Sequence, residues 1–166
     1  MRNVFPAMGL LVLAACGDSG SGDTAPPQPE LTQNAAPTVA ADGGALTVGE
    51  WTIGEDAAGA HAMFGEANSE PRLVFACDSA THVLSMSRAG SEAGAYVVEA
   101  GGQAARVDMA TAGAEMPEVS AAIAPGAPVF AAATDPANTL SITSPGGDTI
   151  RMPGAPGLRR VLEACS

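Results

Sequence analysis

From Ala45 onward, apolar and polar residues alternate in short runs that are bounded by glycine, proline, aspartate and serine. Such alternation is typical of strands with one buried face. The first run, residues 50–53, puts Trp51 and Ile53 on one face. Two further runs, residues 72–77 and 82–88, flank the turn-forming segment 78–81. We therefore predict an early strand followed by a hairpin in which Leu84 and Met86 share a face.

Two more hairpins are predicted further along the chain. Residues 95–100 and 103–109 are separated by Gly101-Gly102, and two-residue turns between strands favour glycine because they require positive φ. Residues 139–143 and 148–152 flank the turn sequence 144–147. The side chains expected to face the core in these hairpins are Ala105, Val107, Met109, Leu140, Ile142, Ile150 and Met152.

The last segment, residues 156–165, changes to a helical period. Leu158, Val161, Leu162 and Cys165 lie at i, i+3, i+4 and i+7, with Pro156 near the start. Residues 111–138 are ambiguous. Met116, Val119 and Ile123 fit a short helix, whereas residues 128–132 resemble a strand. The fold class predicted is mainly β, a small antiparallel barrel or sandwich of about seven or eight strands with a C-terminal helix.

The N-terminus has the features of a bacterial export signal. Met1-Arg2-Asn3 is a short positive region, and residues 4–13 form an apolar run of ten, which is too short to span a bilayer as a helix. The following Leu13-Ala14-Ala15-Cys16 resembles the lipobox of bacterial lipoproteins. That resemblance implies diacylglyceryl transfer to the Cys16 thiol, cleavage before Cys16 and acylation of the new amine.

The chain is thereby divided into three parts. Residues 1–15 are expected to be the signal peptide, residues 16–44 the lipidated cysteine with a disordered linker, and residues 45–166 a globular β-rich domain. The linker is rich in glycine, proline, serine, threonine and aspartate and has few large apolar residues. We predict a periplasmic protein that the lipid tethers to the membrane. Gly17 and Asp18 after the cysteine favour the outer membrane over the inner one.

The same region contains a competing motif. Gly17-Asp18-Ser19-Gly20 resembles the segment around the nucleophile of chymotrypsin-like serine proteases. In that family the histidine and aspartate precede the serine, and nothing upstream of Ser19 except Cys16, Gly17 and Asp18 survives processing. A nucleophilic serine also needs a folded turn, a base and oxyanion donors around it. We interpret this motif as a spacer.

The chain contains three cysteines. If Cys16 carries lipid, Cys77 and Cys165 remain, and a single disulfide in the oxidising periplasm is the simplest assignment. The alternative is a metal ligand or a catalytic thiol, but neither cysteine has a histidine or second cysteine at ligand spacing. A disulfide would fasten the C-terminal helix to the strand that carries Cys77.

The charge is strongly acidic. Seven basic residues, all arginine, stand against 18 acids and give a net charge of −11. This charge argues against nucleic acid as a partner and is compatible with a cationic protein of the cell envelope. The acids are scattered along the chain without a long block, which is typical of solvated surface charges.

No catalytic, metal or cofactor motif is visible. His61 and His82 are the only histidines, and each is isolated from other ligand residues. The chain has no lysine, no G-x-S-x-G and no H-E-x-x-H. We therefore predict that the protein is not an enzyme and has no cofactor and no metal. A hydrolase assembled from distant residues would need His61 or His82 within hydrogen-bond reach of a carboxylate, whereas a binding module would present a shallow or edge-strand surface.

Two distant resemblances complete the picture. The chain resembles a group of small uncharacterised periplasmic lipoproteins, which implies no known activity. The features that carry this resemblance are a first strand with Trp51, the sequence Ala62-Met63-Phe64-Gly65, Cys77 after an apolar strand and Cys165 on the final helix. The chain is also similar to the membrane-bound inhibitor of C-type lysozyme, on the basis of a β-rich domain with a cysteine near the end of an early strand, a terminal cysteine and residues 91–96, Ser-Glu-Ala-Gly-Ala-Tyr. That family presents a serine and a lysine to lysozyme, and this chain has no lysine. The function expected is a membrane-anchored, non-catalytic binding or structural module, with a lysozyme-inhibitor-like binder as the alternative.

Overall fold

The computed structural model describes residues 39–40, 43–90, 92–112 and 117–166. The predicted signal peptide, the lipidation site Cys16, Ser19 and nearly all of the predicted linker lie outside these residues. Within the end of that linker, Val39 forms an isolated bridge with Ala45, and Ala40 is buried.

The described residues form nine strands and two helices. In chain order they are β1 (Glu50–Asp56), β2 (Gly59–Gly65), β3 (Leu73–Asp78), β4 (Leu84–Ala89), β5 (Gly94–Ala100), β6 (Gln103–Ala112), β7 (Glu118–Ala122), α1 (Pro128–Ala133), β8 (Thr139–Thr143), β9 (Thr149–Pro153) and α2 (Leu158–Ala164). The strands make one antiparallel sheet in the order β1-β2-β3-β4-β7-β6-β5-β8-β9. The predicted mainly β class is confirmed. The described edges of the sheet, β1 and β9, share no strand pairing, so the sheet is not closed into a barrel and is sandwich-like.

All three predicted hairpins are present. β3 pairs with β4, β5 with β6 and β8 with β9. Gly101 and Gly102 have φ values of +54° and +75°, as a two-residue turn of this kind requires. The alternating side chains that were expected to face the core are buried or packed against it. They meet a ring cluster in which Trp51 contacts Phe64 and Phe75, and Phe75 contacts Phe130.

Residues 111–138 differ from both sequence-based expectations. The segment around Val119 is the strand β7, which lies between β4 and β6. Residues 128–133 are helical, with Pro128 in the first turn and Val129, Phe130 and Ala133 buried. The sequence left this segment open, and the structure forms neither a helix around Val119 nor a strand over residues 128–132. Burial of the Val129 and Phe130 side chains beneath the sheet outweighs their preference for strands.

The two edge strands are bridged by hydrogen bonds from the chain around Trp51. The indole Nε1–H of Trp51 donates to the carbonyl of Pro153 at 2.8 Å. Just before β1, the Thr47 amide donates to the Arg151 carbonyl, and the Arg151 amide donates to the Thr47 hydroxyl. These contacts give the edge of β9 hydrogen-bond partners that a bare strand edge would lack.

The C-terminal helix is fastened to the sheet. α2 packs on β2 and β3 and buries Leu158, Val161 and Leu162, as the period predicts. Cys165, directly after α2, forms a disulfide with Cys77 of β3, with a Cα–Cα separation of 5.7 Å. The predicted pairing is thus present. No helix within the described ranges is long and apolar enough to cross a bilayer.

Candidate functional site

One side of the sheet carries a broad face, which we call the outer face: the outward side chains of β1–β4 and β7. Strand register aligns its residues in rows across the strands. One row runs from Gly54 through His61, Ala76 and Ser85 to Ala122. The next row runs from Thr52 through Met63, Val74 and Ser87 to Ser120. The residues between these positions along the strands, such as Phe64 and Phe75, face the core.

The floor of the outer face carries side chains that are small or lie along the backbone. The imidazole of His61 covers β1, so a Cβ added at Gly54 would sit 2.6 Å from His61 Nε2. The Ser85 hydroxyl turns back to donate to the Ala76 carbonyl at 3.2 Å. Met63 and Val74, both half-buried, are the largest apolar groups on this floor. The result is a shallow surface with an apolar centre.

Carboxylates lie at both ends of this floor. Strand alternation turns Glu50, Asp56, Asp78 and Glu118 outward, and the loop between β2 and β3 adds two more at one end of the face. The six carboxylates are Glu50, Asp56, Glu66, Glu70, Asp78 and Glu118. Arg72 is the one arginine beside them in the described residues, and it pairs with Glu66 at 3.0 Å. The outer face is therefore strongly negative.

Three depressions mark the outer face. Their volumes are about 210 Å³ beside Glu50 and Met63, about 170 Å³ beside Glu70 and Val74, and about 240 Å³ beside His61. A larger depression of about 370 Å³ lies elsewhere, at the turn between β5 and β6, and is lined by Glu99 and Ser141 among others. Three depressions thus share the floor of the outer face.

Among the residues that the structure describes, neither His61 nor His82 is hydrogen-bonded to a carboxylate. His61 Nδ1 is 3.9 Å from Asp56 Oδ2, which is beyond hydrogen-bond distance. Asp56 Oδ1 instead accepts from the Ala58 and Gly59 amides and shapes the turn between β1 and β2. Ser85 lies two strands from His61, and its hydroxyl is bonded to backbone. The His61, Asp56 and Ser85 side chains therefore share a face without being linked.

Asp78 has a comparable role at the next turn. Its Oδ1 accepts from the Ala80 amide and from both the amide and the hydroxyl of Thr81. These bonds, the Thr81 hydroxyl first, hold the pKa of the Asp78 carboxyl below its usual value. His82, in the same turn, adopts a positive φ of 53°. Asp78 thus stays ionised to lower pH than an ordinary aspartate.

The residues that carry the inhibitor resemblance are only partly accessible. Tyr96 is buried, and its hydroxyl donates to the Glu92 carbonyl at 2.8 Å. The Arg88 guanidinium lies 5.8 Å from the centre of the Tyr96 ring and donates to Asp148. Ser91 lies outside the described residues. Tyr96 therefore anchors the loop from inside, where it cannot contact a partner.

Comparisons with protein-family models, with curated proteins and with solved structures find no match. Among the residues that the structure describes, no three histidine, cysteine or acidic side chains come together as a metal site would require. The outer face was not predicted from the sequence. Of its six carboxylates, only Glu50 lies in a strand that the sequence predicts, and only the sheet order brings Glu118 of β7 beside Glu70.

Proposed function

We propose that this protein is a lipoprotein of the bacterial envelope, anchored at the periplasmic side of the outer membrane through Cys16, and that its domain is a non-catalytic binding module. The observation that carries the anchor is the pairing of the cysteines. Cys77 and Cys165 are joined to each other, so Cys16, at the end of a lipobox-like sequence, is the thiol left for lipid.

The binding role is supported by the outer face. A flat floor with Met63 and Val74 at its centre and carboxylates at its margin resembles the organisation of interfaces, where an apolar centre is surrounded by a polar rim. The depressions on this floor are small beside the 300–1,000 Å³ or so of a typical small-molecule site. At the outer face, these features favour a polypeptide partner over a small molecule.

The anchor is tested by comparing three forms of the full chain in a Gram-negative host grown with an alkyne-labelled fatty acid. The wild type should carry the label and sediment with outer membranes. Cys16→Ser should lose both properties. Ser19→Ala is the matched control, since the spacer interpretation gives it no effect. Label on the Cys16→Ser variant, or an unlabelled wild type, would rule out this anchor.

A lysozyme-inhibitor-like role is the second candidate, and the observation that favours it is the negative outer face, which suits a cationic enzyme. Lysozyme turnover on cell walls should fall when the purified full chain is added in excess. Unchanged turnover at hundredfold excess would remove this candidate and leave the anchor untouched.

A further inference from the structure

We propose that the outer face binds a short, cationic polypeptide segment whose apolar side chains contact Met63 and Val74 and whose basic side chains reach the surrounding carboxylates. This inference rests on the proposed function, because it names the partner of the binding module. It is independent of the lipid anchor.

The negative charge of the outer face favours a partner with positive charge. The six carboxylates of the outer face have Arg72 as their one arginine neighbour, and Arg72 is already paired with Glu66. Other arginines are engaged elsewhere, for example Arg88 with Asp148 and Arg160 with Glu55. Basic groups on a partner would find the carboxylates of Glu50, Glu70 and Glu118 here, while an acidic partner would be repelled. A second copy of this chain, with the same acidic rim, is therefore disfavoured.

The dimensions of the outer face fit a short polypeptide segment. The five strands of the outer face, spaced about 4.8 Å apart, span about 19 Å, and the six-residue rise from Glu50 to Asp56 spans about 20 Å. The projected area is about 400 Å², and an extended segment of about six residues crosses it along the strand direction. A segment of about six to eight residues fits this area.

The side chains of the floor indicate which residue types a partner segment would contain. Met63 and Val74 face each other across β2 and β3 and offer an apolar patch in the middle. Lysine and arginine suit such a site, because their aliphatic stems can lie on the small side chains of the floor while their charged heads reach the rim. A segment in which basic and apolar residues alternate can contact both the apolar patch and the carboxylates.

The test uses the full chain and, as the probe, a fluorescent eight-residue peptide of alternating lysine and leucine. Binding is followed by fluorescence anisotropy at low salt. The double variant Glu50→Lys/Glu70→Lys reverses two rim charges. Glu99→Lys/Glu163→Lys, at exposed carboxylates away from the outer face, changes the net charge equally and is the matched control. We expect the rim variant to weaken binding at least tenfold and the control less than threefold. Circular dichroism melts check that both variants are folded.

Equal weakening by the two double variants would overturn the proposal, since net charge alone would then explain binding. A peptide in which serine replaces leucine should bind at least fivefold more weakly, and equal affinity would contradict the apolar contact. A wild type that binds neither peptide would overturn the proposal as well. That last result would leave the lipid anchor standing, because label on Cys16 is measured separately.

Discussion

At the scale of single residues, Tyr96 links the core to the pH dependence of stability. Burial raises the pKa of its hydroxyl above the ordinary value of 10.0, and the nearby Arg88 opposes this only in part. The folded state therefore holds the proton more tightly than the unfolded state. The stabilisation that comes from this difference in the pKa of Tyr96 is complete below about pH 10, and it is lost as the pH rises through the pKa of Tyr96 in the folded state.

We therefore predict that the free energy of unfolding, measured by urea denaturation, falls above about pH 10. Tyr96→Phe should remove this component of the decline and cost about 1 kcal/mol at neutral pH, because the bond to the Glu92 carbonyl is lost. Phenolate absorbance reports the titration directly, since Tyr96 is the one tyrosine in the chain. An identical alkaline decline in the phenylalanine variant would contradict this assignment.

In the ion pair of Arg88 with Asp148, one side chain is mostly buried and the other is exposed, so the two residues differ in what their removal costs. Its side chain is 13% exposed and points inward at the end of β4, whereas that of Asp148 is 74% exposed. Removing Asp148 leaves a mostly buried cation without its carboxylate, although the Tyr96 ring still lies against it, while removing Arg88 leaves a solvated carboxylate. We predict that Asp148→Ala costs about 2 kcal/mol and Arg88→Met less than about 1 kcal/mol. Chemical denaturation measures both, and the reverse order would show that the pair matters through packing.

At the scale of elements, the disulfide decides how firmly α2 is held. Cys77 and Cys165 are separated by 88 positions, and closing a loop of this length stabilises a fold by about 4–5 kcal/mol in the chain-entropy model. We predict that Cys77→Ala/Cys165→Ala lowers the free energy of unfolding by about 4 kcal/mol. Amide exchange should then rise first in α2. Loss of less than about 1 kcal/mol, with α2 still protected, would be inconsistent with this role.

The elements also show what sequence patterns determine. The hairpins at Gly101-Gly102 and at residues 144–147 were predictable because turn chemistry and alternation agree. The assignment of β7 failed for a geometric reason. Val119 and Ile123 are four residues apart, a spacing that places two side chains on one face of a helix and also of a strand. Tertiary packing, which a local pattern does not contain, decided between them.

At the scale of the whole molecule, the outer face depends on contacts between distant segments. Its carboxylates are scattered from Glu50 to Glu118 and look like ordinary solvated charges in the sequence. The insertion of β7 beside β4 gathers them, because a strand from later in the chain then completes the face. Strands β1, β3 and β4 could be predicted at least in part, whereas β2, β7 and the site that the five strands assemble could not. The N-terminal anchor is the opposite case, since its evidence lies entirely in a local sequence.

The central claim, a disulfide-bonded domain tethered by Cys16, is tested most directly by the intact mass of the protein from its native membrane, with and without reduction before thiol alkylation. The account predicts a chain that begins at Cys16 and carries acyl groups, in which Cys77 and Cys165 are alkylated only after reduction. An unacylated mass with thiols that react before reduction would contradict it.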